Sequence, residues 1–380
     1  MSEYIHELPA WPEFRWNRDH LAEPLANIRY MQGRLVGHME ALGFELRQEA
    51  LLETITEDVV QTSAIEGERL DLRQVRSSVA RRLGLDIAGL TASDRNVDGV
   101  VEMMLDATSN YDQPLTADRL FEWHSALFPS ARSGLNRILT GAWREDRGGP
   151  MQVVSGAIGR ERVHYQAPPA KRVAKDMKLF LRWFEGTSGT DAVLRAAQAH
   201  LWFVTIHPFE DGNGRIGRAI ADMALARSES SPQRFYSMSS QIRRERTEYY
   251  DSLQRAQKGS LEITPWMEWF LACLGRAIEG AHSNLKSVLV KARFWELAAL
   301  HPLNTRQRTV LNRVLNGFEG RLTSSKWAIL AKCSADTALR DISELLSWGL
   351  LERGSERGRS TGYVLPDLAR AVPARVYATR

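Results

Sequence analysis

Apolar residues recur at spacings of three and four along most of this chain, as in Leu51, Leu52, Ile55 and Val59, and again in Val100, Met103 and Met104. That period marks amphipathic helices, and runs of strict alternation are few, so the chain reads as mainly α. The pattern predicts a helix from Arg47 to about Gly67, another from Lys171 through Phe184, a turn at Gly186-Thr-Ser-Gly189, and a long apolar helix from about Asp191 to Ile206 that Pro208 stops. One stretch breaks the rule. Gly148-Gly149-Pro150 precedes Met151-Gln-Val-Val154, then Ser155-Gly156, then Val163-His-Tyr165 and Pro168-Pro169, a sequence that predicts a β-hairpin. The opening segment, Tyr4 to Trp16, holds two prolines and several large aromatics, which predicts an extended strap lying against the body.

Near Arg293 to Asn304 the character changes, with Pro302 interrupting a helix, and a domain boundary is expected there. Beyond it the pattern predicts helices from Arg306 to Phe318, Thr323 to Cys333 and Ala335 to Trp348, the last entered by Ser334 as N-cap. Leu350 to Leu365 then reads as a hairpin with a Gly-Arg-rich tip.

Composition narrows the function classes. The 380 residues are 43% hydrophobic and 25% charged, which excludes disorder, collagen and coiled coil. Fifty Lys and Arg against forty-six Asp and Glu leave a charge of +4, so any nucleic-acid surface has to be local. With only Cys273 and Cys333, no disulfide framework or Cys-rich zinc site can form, and a reducing compartment is expected. Glu3, His6 and Glu7 stand where a signal peptide needs a basic start and an apolar centre, and no apolar run is long enough for a membrane span. A cytoplasmic protein without membrane partners is the expectation.

The richest chemistry lies in His207-Pro-Phe-Glu-Asp-Gly-Asn-Gly-Arg-Ile-Gly-Arg218. Pro208 disfavours right-handed helical geometry at His207, placing the imidazole at the exit of one helix. The next helix is expected from about Asn213, because Ile216, Ile220 and Met223 then form one stripe. Gly212 and Gly214 permit close approach at that helix start, and Arg215 and Arg218 lie three apart on one face, which together make an anion site suited to polyphosphate. Asp211 beside phosphate calls for a magnesium ion between them. His207 is the side chain suited to taking a proton from an attacking hydroxyl. Gly212-Asn-Gly214-Arg-Ile-Gly217 also satisfies the dinucleotide fingerprint, but a helix precedes it and no acid follows at the required distance, so that reading is set aside. There is no P-loop, and the spacing of His200, His207 and Asp211 does not suit zinc.

These twelve residues match the H-x-F-x-[DE]-G-N-G-R-x-x-R signature of Fic-domain proteins, and the resemblance extends over roughly Leu115 to Leu274, through Leu120, His124, the hairpin, Tyr249-Tyr250-x-x-Leu253 and Trp266-x-x-Trp269-Phe270. It implies a Fic-type helical core with a small β-hairpin flap, and transfer of AMP from Mg-ATP to a protein hydroxyl. His207 would be the base, Phe209 a hydrophobic anchor, and Asp211 the magnesium ligand. Gly212, Asn213 and Gly214 would cradle phosphate, Arg215 and Arg218 would hold the β- and γ-phosphates, and Tyr249 and Tyr250 would help to hold the nucleotide. The hairpin, through Val153, Val154, Val163 and Tyr165, resembles the flap that registers a target segment, in another protein or in the chain itself, by strand addition. Thr62-x-x-x-Glu66-Gly67 resembles the inhibitory motif of the family's second class, in which the Glu pairs with the last arginine of the signature, here Arg218. Gly67 is a plausible C-cap, and a carboxylate at that helix end opposes the dipole unless a cation meets it.

The C-terminal part resembles a winged helix-turn-helix, with Thr337, Arg340 and Asp341 near the exposed start of its third helix and Arg353, Arg357 and Arg359 in its hairpin as candidate DNA contacts. The expected division is thus 1–110 for an N-terminal helical region holding the inhibitory helix at about 47–67, 111–292 for the catalytic core, 293–304 for a linker helix and 305–380 for the winged helix. ATP and Mg²⁺ are the expected cofactors; DNA and a second copy of the chain are further candidate partners. Two alternatives stay open: a DNA-binding regulator that uses the Fic domain as a nucleotide sensor, and AMP removal assisted by Glu66.

Overall fold

The computed structural model describes residues 4–40, 44–85, 91–146, 149–155, 162–187, 189–315, 321–354 and 362–366. They fall into two units, Met1–His282 and Ser283–Arg380. The first opens with a 3₁₀ turn, Ile5–Glu7, and continues through α1 (Arg18–Glu40), α2 (Phe44–Ile65), α3 (Leu72–Arg82), α4 (Arg95–Ser109) and α5 (Ala117–Leu127). Two short strands, β1 (Arg132–Ser133) and β2 (Asn136–Arg137), precede the hairpin of β3 (Gln152–Ser155) and β4 (Arg162–Gln166). The unit then runs through α6 (Ala170–Glu185), α7 (Ala192–Ile206), α8 (Asn213–Glu229), α9 (Met238–Arg244), α10 (Arg246–Lys258) and the start of α11 (Thr264–Ala298).

Local chemistry sets several of these starts. Asp71, Asp94, Thr116 and Asp191 each accept a hydrogen bond from a first-turn backbone N–H of α3, α4, α5 and α7. The apolar run in α7 is buried on nearly every face, as a helix at the centre of a core has to be, and α8 packs along it. α4 covers α8 from another side, and α2 packs against α3 and α9. The result holds the carboxyl end of α7 and the amino end of α8 side by side, joined by the loop from His207 to Gly212.

β3 and β4 pair antiparallel, with Val153 opposite Tyr165, Val154 opposite Val163, and an irregularity between Val153 and Val154. The tip of the hairpin, residues 156–161, lies outside the described residues. The opening strap is not extended as the two prolines predicted: it makes a 3₁₀ turn, and then Arg15 exchanges backbone hydrogen bonds with Leu261 and Ile263.

The second unit holds the end of α11, then α12 (Thr305–Leu315), α13 (Ser324–Ala331), α14 (Ala335–Ser347) and a pair of two-residue strands, β5 (Glu352–Arg353) and β6 (Tyr363–Val364). Its core gathers Phe294, Ala298, Val310, Leu311, Trp327, Ile342 and Leu345. Phe294 and Ala298 come from the stretch expected as a linker, so that stretch contributes to this core. Asp341, expected near the exposed start of the third helix, is buried and accepts hydrogen bonds from Asn304 and Arg306. Arg357 and Arg359 lie outside the described residues.

Candidate active site

His207 caps α7 in the left-handed region, at φ 52° and ψ 59°, with its N–H bonded to the Phe203 carbonyl. Pro208 does exclude the right-handed helix here, and the turn is closed by a conformation that a non-glycine residue rarely takes. Its Nδ1 lies 3.2 Å from the Val204 carbonyl. A carbonyl can only accept, so Nδ1 carries the proton and Nε2 keeps a free lone pair. Burial, chiefly, and the neighbouring Arg144 guanidinium push the imidazole pKa down to about 4 against the opposing pull of the Val204 carbonyl, Glu66 and Asp211. The ring is therefore neutral across physiological pH.

The loop that follows is held from within. The Asn213 carboxamide accepts from the Phe209 N–H at 2.9 Å and donates to the Phe209 carbonyl at 2.8 Å. Asn213 thus shapes the turn, with its amide engaged by backbone. The buried Phe209 ring stacks on His124 at 4.2 Å between centroids. His124 in turn reaches the Asp211 carbonyl at 3.2 Å, and burial lowers its pKa to about 4. Gly212 is the N-cap of α8 at φ +80°, where a Cβ would sit 2.9 Å from the Phe128 ring. With no side chain capping α8, its first N–H groups have no intrahelical acceptor.

Both signature arginines are buried and both meet a glutamate from the turn after α2. That turn is closed by Gly67 at φ +87° and by backbone bonds from Glu66, Gly67 and Glu68 to Ser63 and Ala64. Arg218 Nη2 donates to Glu66 Oε1 at 2.7 Å and to the Thr62 carbonyl at 2.9 Å, while Nε donates to the Thr62 hydroxyl at 2.8 Å. Burial works to lower the Arg218 pKa, but Glu66, Tyr249 and Tyr250 reverse that, and the net shift is upward. Arg215 Nη1 donates to Glu68 Oε2 at 2.7 Å, and its guanidinium lies over the Phe128 ring. Arg218 Nη1 and Arg215 Nε are buried without a hydrogen-bond partner among the described residues. Buried donors left this way are costly, and an anion at the start of α8 would satisfy them. Gly214 is where Glu66 enters: a Cβ there would lie 2.0 Å from Glu66 Oε1.

Asp211 accepts from the Gly212 N–H at 2.5 Å and from the Ser133 hydroxyl. No group of three or more His, Cys, Asp or Glu arranged for a metal occurs among the described residues. One carboxylate suits an ion that fills the rest of its shell with phosphate oxygens and water, and does not suit an all-protein metal cage.

A pocket of about 500 Å³ opens beside these groups, lined by His207, Glu66 and Gly214, by Val153, Val154 and Tyr165 of the hairpin, and by Tyr249, Tyr250 and Gln254 of α10. Its size suits a small-molecule ligand. Tyr250 is half-buried there; the buried Tyr249 has its hydroxyl 2.9 Å from His200 Nε2. On the hairpin, Val154 and Val163 are exposed, at 48% and 38%, whereas Tyr165 turns inward and donates its hydroxyl to the Thr205 carbonyl at 2.5 Å.

Sequence reasoning passed over Arg144, Ser133 and the Arg215–Glu68 pair. Arg144 donates through Nε to the His207 carbonyl at 2.7 Å and through Nη1 to Asp146, also at 2.7 Å. Its Nη2 reaches the Pro168 carbonyl, and its backbone N–H the Pro208 carbonyl at 2.9 Å. Nothing in its local sequence announces this clamp, because every partner but Asp146 is a distant backbone carbonyl.

Residues 114–225 match the Fic/DOC family, and residues 4–85 match a domain of unknown function, DUF4172. The protein adenylyltransferase Fic of Culex quinquefasciatus is 26% identical over 237 residues, covering 60% of this chain and 41% of that protein. That of Aedes aegypti is 24% identical over 287 residues, covering 68% and 51%, and protein adenylyltransferase fic-1 of Caenorhabditis elegans is 29% identical over 205 residues, covering 53% and 37%. The chain thus spans about half or less of the length of these relatives. Among solved structures, a Fic family protein from Desulfovibrio desulfuricans aligns with a TM-score of 0.53 at 23% identity, over 91% of this chain and 96% of that one. A Fic-domain signalling protein from Bacteroides thetaiotaomicron aligns at 0.50 and 20% identity, over 68% and 97%. No described helix is long and apolar enough to cross a membrane. Residues 114–225 thus match the Fic/DOC family, and the chain shares the fold of the Desulfovibrio desulfuricans Fic family protein.

Proposed function

We propose that the chain is a self-inhibited protein adenylyltransferase, moving AMP from ATP to a hydroxyl of a target protein or of itself. The observation that carries this is the neutral His207, with its Nε2 lone pair free, lining the same pocket as the start of α8. The hydroxyl oxygen attacks the α-phosphorus and the bond from that phosphorus to the β-bridging oxygen breaks. Pyrophosphate leaves, and His207 Nε2 takes the hydroxyl proton. The uncapped N–H groups of α8 and the unpartnered nitrogens of Arg215 and Arg218 receive the phosphates. Asp211 is the residue that would hold magnesium, which when bound neutralises phosphate charge. Exposed Val154 and Val163 are available at the hairpin for a target segment.

Self-inhibition rests on the Glu66–Arg218 pair. A guanidinium that is bonded to Glu66 and Thr62 has only part of its donor set left for phosphate, so nucleotide enters misaligned for in-line attack. The named curated relatives are adenylyltransferases, which supports AMP as the transferred group. The same Glu66 carboxylate, lining the pocket with His207, favours AMP removal as a second activity of this site. Incubating the Glu66→Gly chain with α-labelled ATP, magnesium and cell lysate tests the reading: label on protein, lost with His207→Ala, is the expected result, and its absence would refute it.

A further inference from the structure

The strap at the start of the chain reaches the active-site hairpin. Tyr4 is buried and forms a small core with Tyr165 and Ala167, against which Met151 and Val153 pack. The Tyr4 and Tyr165 rings meet edge to face at 5.1 Å, and His6 lies 6.0 Å from Tyr165 and parallel to Tyr4. His6 is buried too, and its Nε2 bonds the Gln166 carbonyl at 3.0 Å, at the end of β4. The His6 carbonyl accepts from Arg172 Nη1 of α6 at 3.0 Å, and the Lys258 ammonium at the end of α10 sits over the Tyr4 ring.

An isolated two-stranded hairpin is marginally stable at best in water and gains stability when an apolar face is covered by something else. Here Tyr4 and His6 supply that cover for β3 and β4. Tyr165 carries the constraint onward, since its hydroxyl is bonded to the Thr205 carbonyl, two residues before His207. Its partner position across the hairpin is Val153, which lines the pocket.

We infer that Tyr4 and His6, at the beginning of the region matched by the domain of unknown function, are positioning residues of the active site: they fix the hairpin to the body so that its edge is preset for a target segment. The functional half of this inference rests on the proposed adenylyltransferase reading; the structural half does not. The strap needs no contact with nucleotide, so its loss separates target engagement from ATP binding.

Hydrogen–deuterium exchange on the full chain without nucleotide tests the structural half. In Tyr4→Ala, peptides covering β3 and β4 should exchange at least about tenfold faster while those of α4 and α8 keep their parental rates. Tyr4→Phe keeps the ring and should restore the parental pattern. Unchanged exchange in β3 and β4 overturns the inference, as does loss spread equally over α4 and α8, or equal loss in Tyr4→Phe. In the Glu66→Gly chain, adding Tyr4→Ala should lower transfer to protein at least about tenfold with the ATP dissociation constant within about twofold. A matching loss of ATP affinity overturns the positioning role. A chain that transfers no AMP at all defeats the adenylyltransferase reading and leaves the exchange result to decide the strap.

Discussion

The starts of α8 and α14 look alike in sequence, each a helix beginning near arginines, and they are opposites in structure. α8 begins at Gly212 with no side-chain cap and no acid in its first turn, and Arg215 and Arg218 are buried at 5% and 2% exposure. α14 begins at Ser334, whose hydroxyl accepts from the Thr337 N–H, and carries Asp336 in its first turn; Arg340 is exposed. The positive end of α14 is therefore met by its own side chains, while that of α8 has no side-chain acceptor of its own. An arginine near a helix start keeps donors for an anion only where burial fixes it and some of its nitrogens stay without a partner, as Arg215 Nε and Arg218 Nη1 do among the described residues.

The two helix starts differ most at His207, whose imidazole lies in the loop that leads into α8. His207→Ala is expected to lower AMP transfer by roughly 10²–10⁴-fold while ATP affinity and thermal unfolding stay near the parent, read by initial rates, calorimetry and melting. The pH profile sharpens this. A lowered pKa of about 4 keeps the base deprotonated on the alkaline side of that value, so the rate should show no histidine step from pH 6 to 8 and should fall only as pH drops toward the shifted value. A step near the ordinary histidine pKa would contradict the burial described.

Glu66 and Glu68 let the two arginines be compared directly. Glu66→Gly frees the arginine that is also held by Thr62, and transfer should rise at least about tenfold, with ATP affinity changing less. Arg218→Ala should give no such release, and the double variant should stay slow, because in the proposed reading Arg218 both binds phosphate and anchors Glu66. Glu68→Ala frees Arg215 from a carboxylate that is 39% exposed, and a gain of only roughly two- to fivefold is expected. Equal rates for Glu66→Gly and the parent would make Glu66 a surface carboxylate at a helix end.

Ser334→Ala touches the other helix start and should leave transfer unchanged. Loss of that cap is expected to destabilise the second unit by about 1 kcal/mol, measured as a shift in its own unfolding transition. A change in transfer rate instead would mean that α14 is no mere surface.

What could be read from sequence follows the range of the forces involved. The helix ends at Ile206 and Asn213, the Ser334 cap and the Gly67 turn depend on neighbours within a few residues, and the pattern locates them to within a residue or two. The chemical group of His207, Asp211, Arg215 and Arg218 stood out because one loop carries them all. The Arg144 clamp, the Arg215–Glu68 pair and the Tyr4–Tyr165 contact join segments far apart in the chain, and no local pattern encodes them. Asp341 shows the same limit from the other side: its helix position suggested exposure, and the tertiary partners Asn304 and Arg306 drew it inward.

The smallest expected effect concerns Arg340, exposed in the first turns of α14 behind a capped helix start. Because it is exposed, Arg340→Ala should shift unfolding by less than about 0.5 kcal/mol and leave transfer at the parental rate. If the second unit contacts DNA, such exposed side chains are where the contact is expected, since Ser334 already caps the helix end. The full chain should then bind duplex DNA with a salt-dependent affinity, and Arg340→Ala should weaken preferred sequences more than random ones. Equal weakening on both would place Arg340 against phosphate, and absence of binding even at low salt would turn the same surface, with its exposed Leu339 at 46%, toward a protein partner.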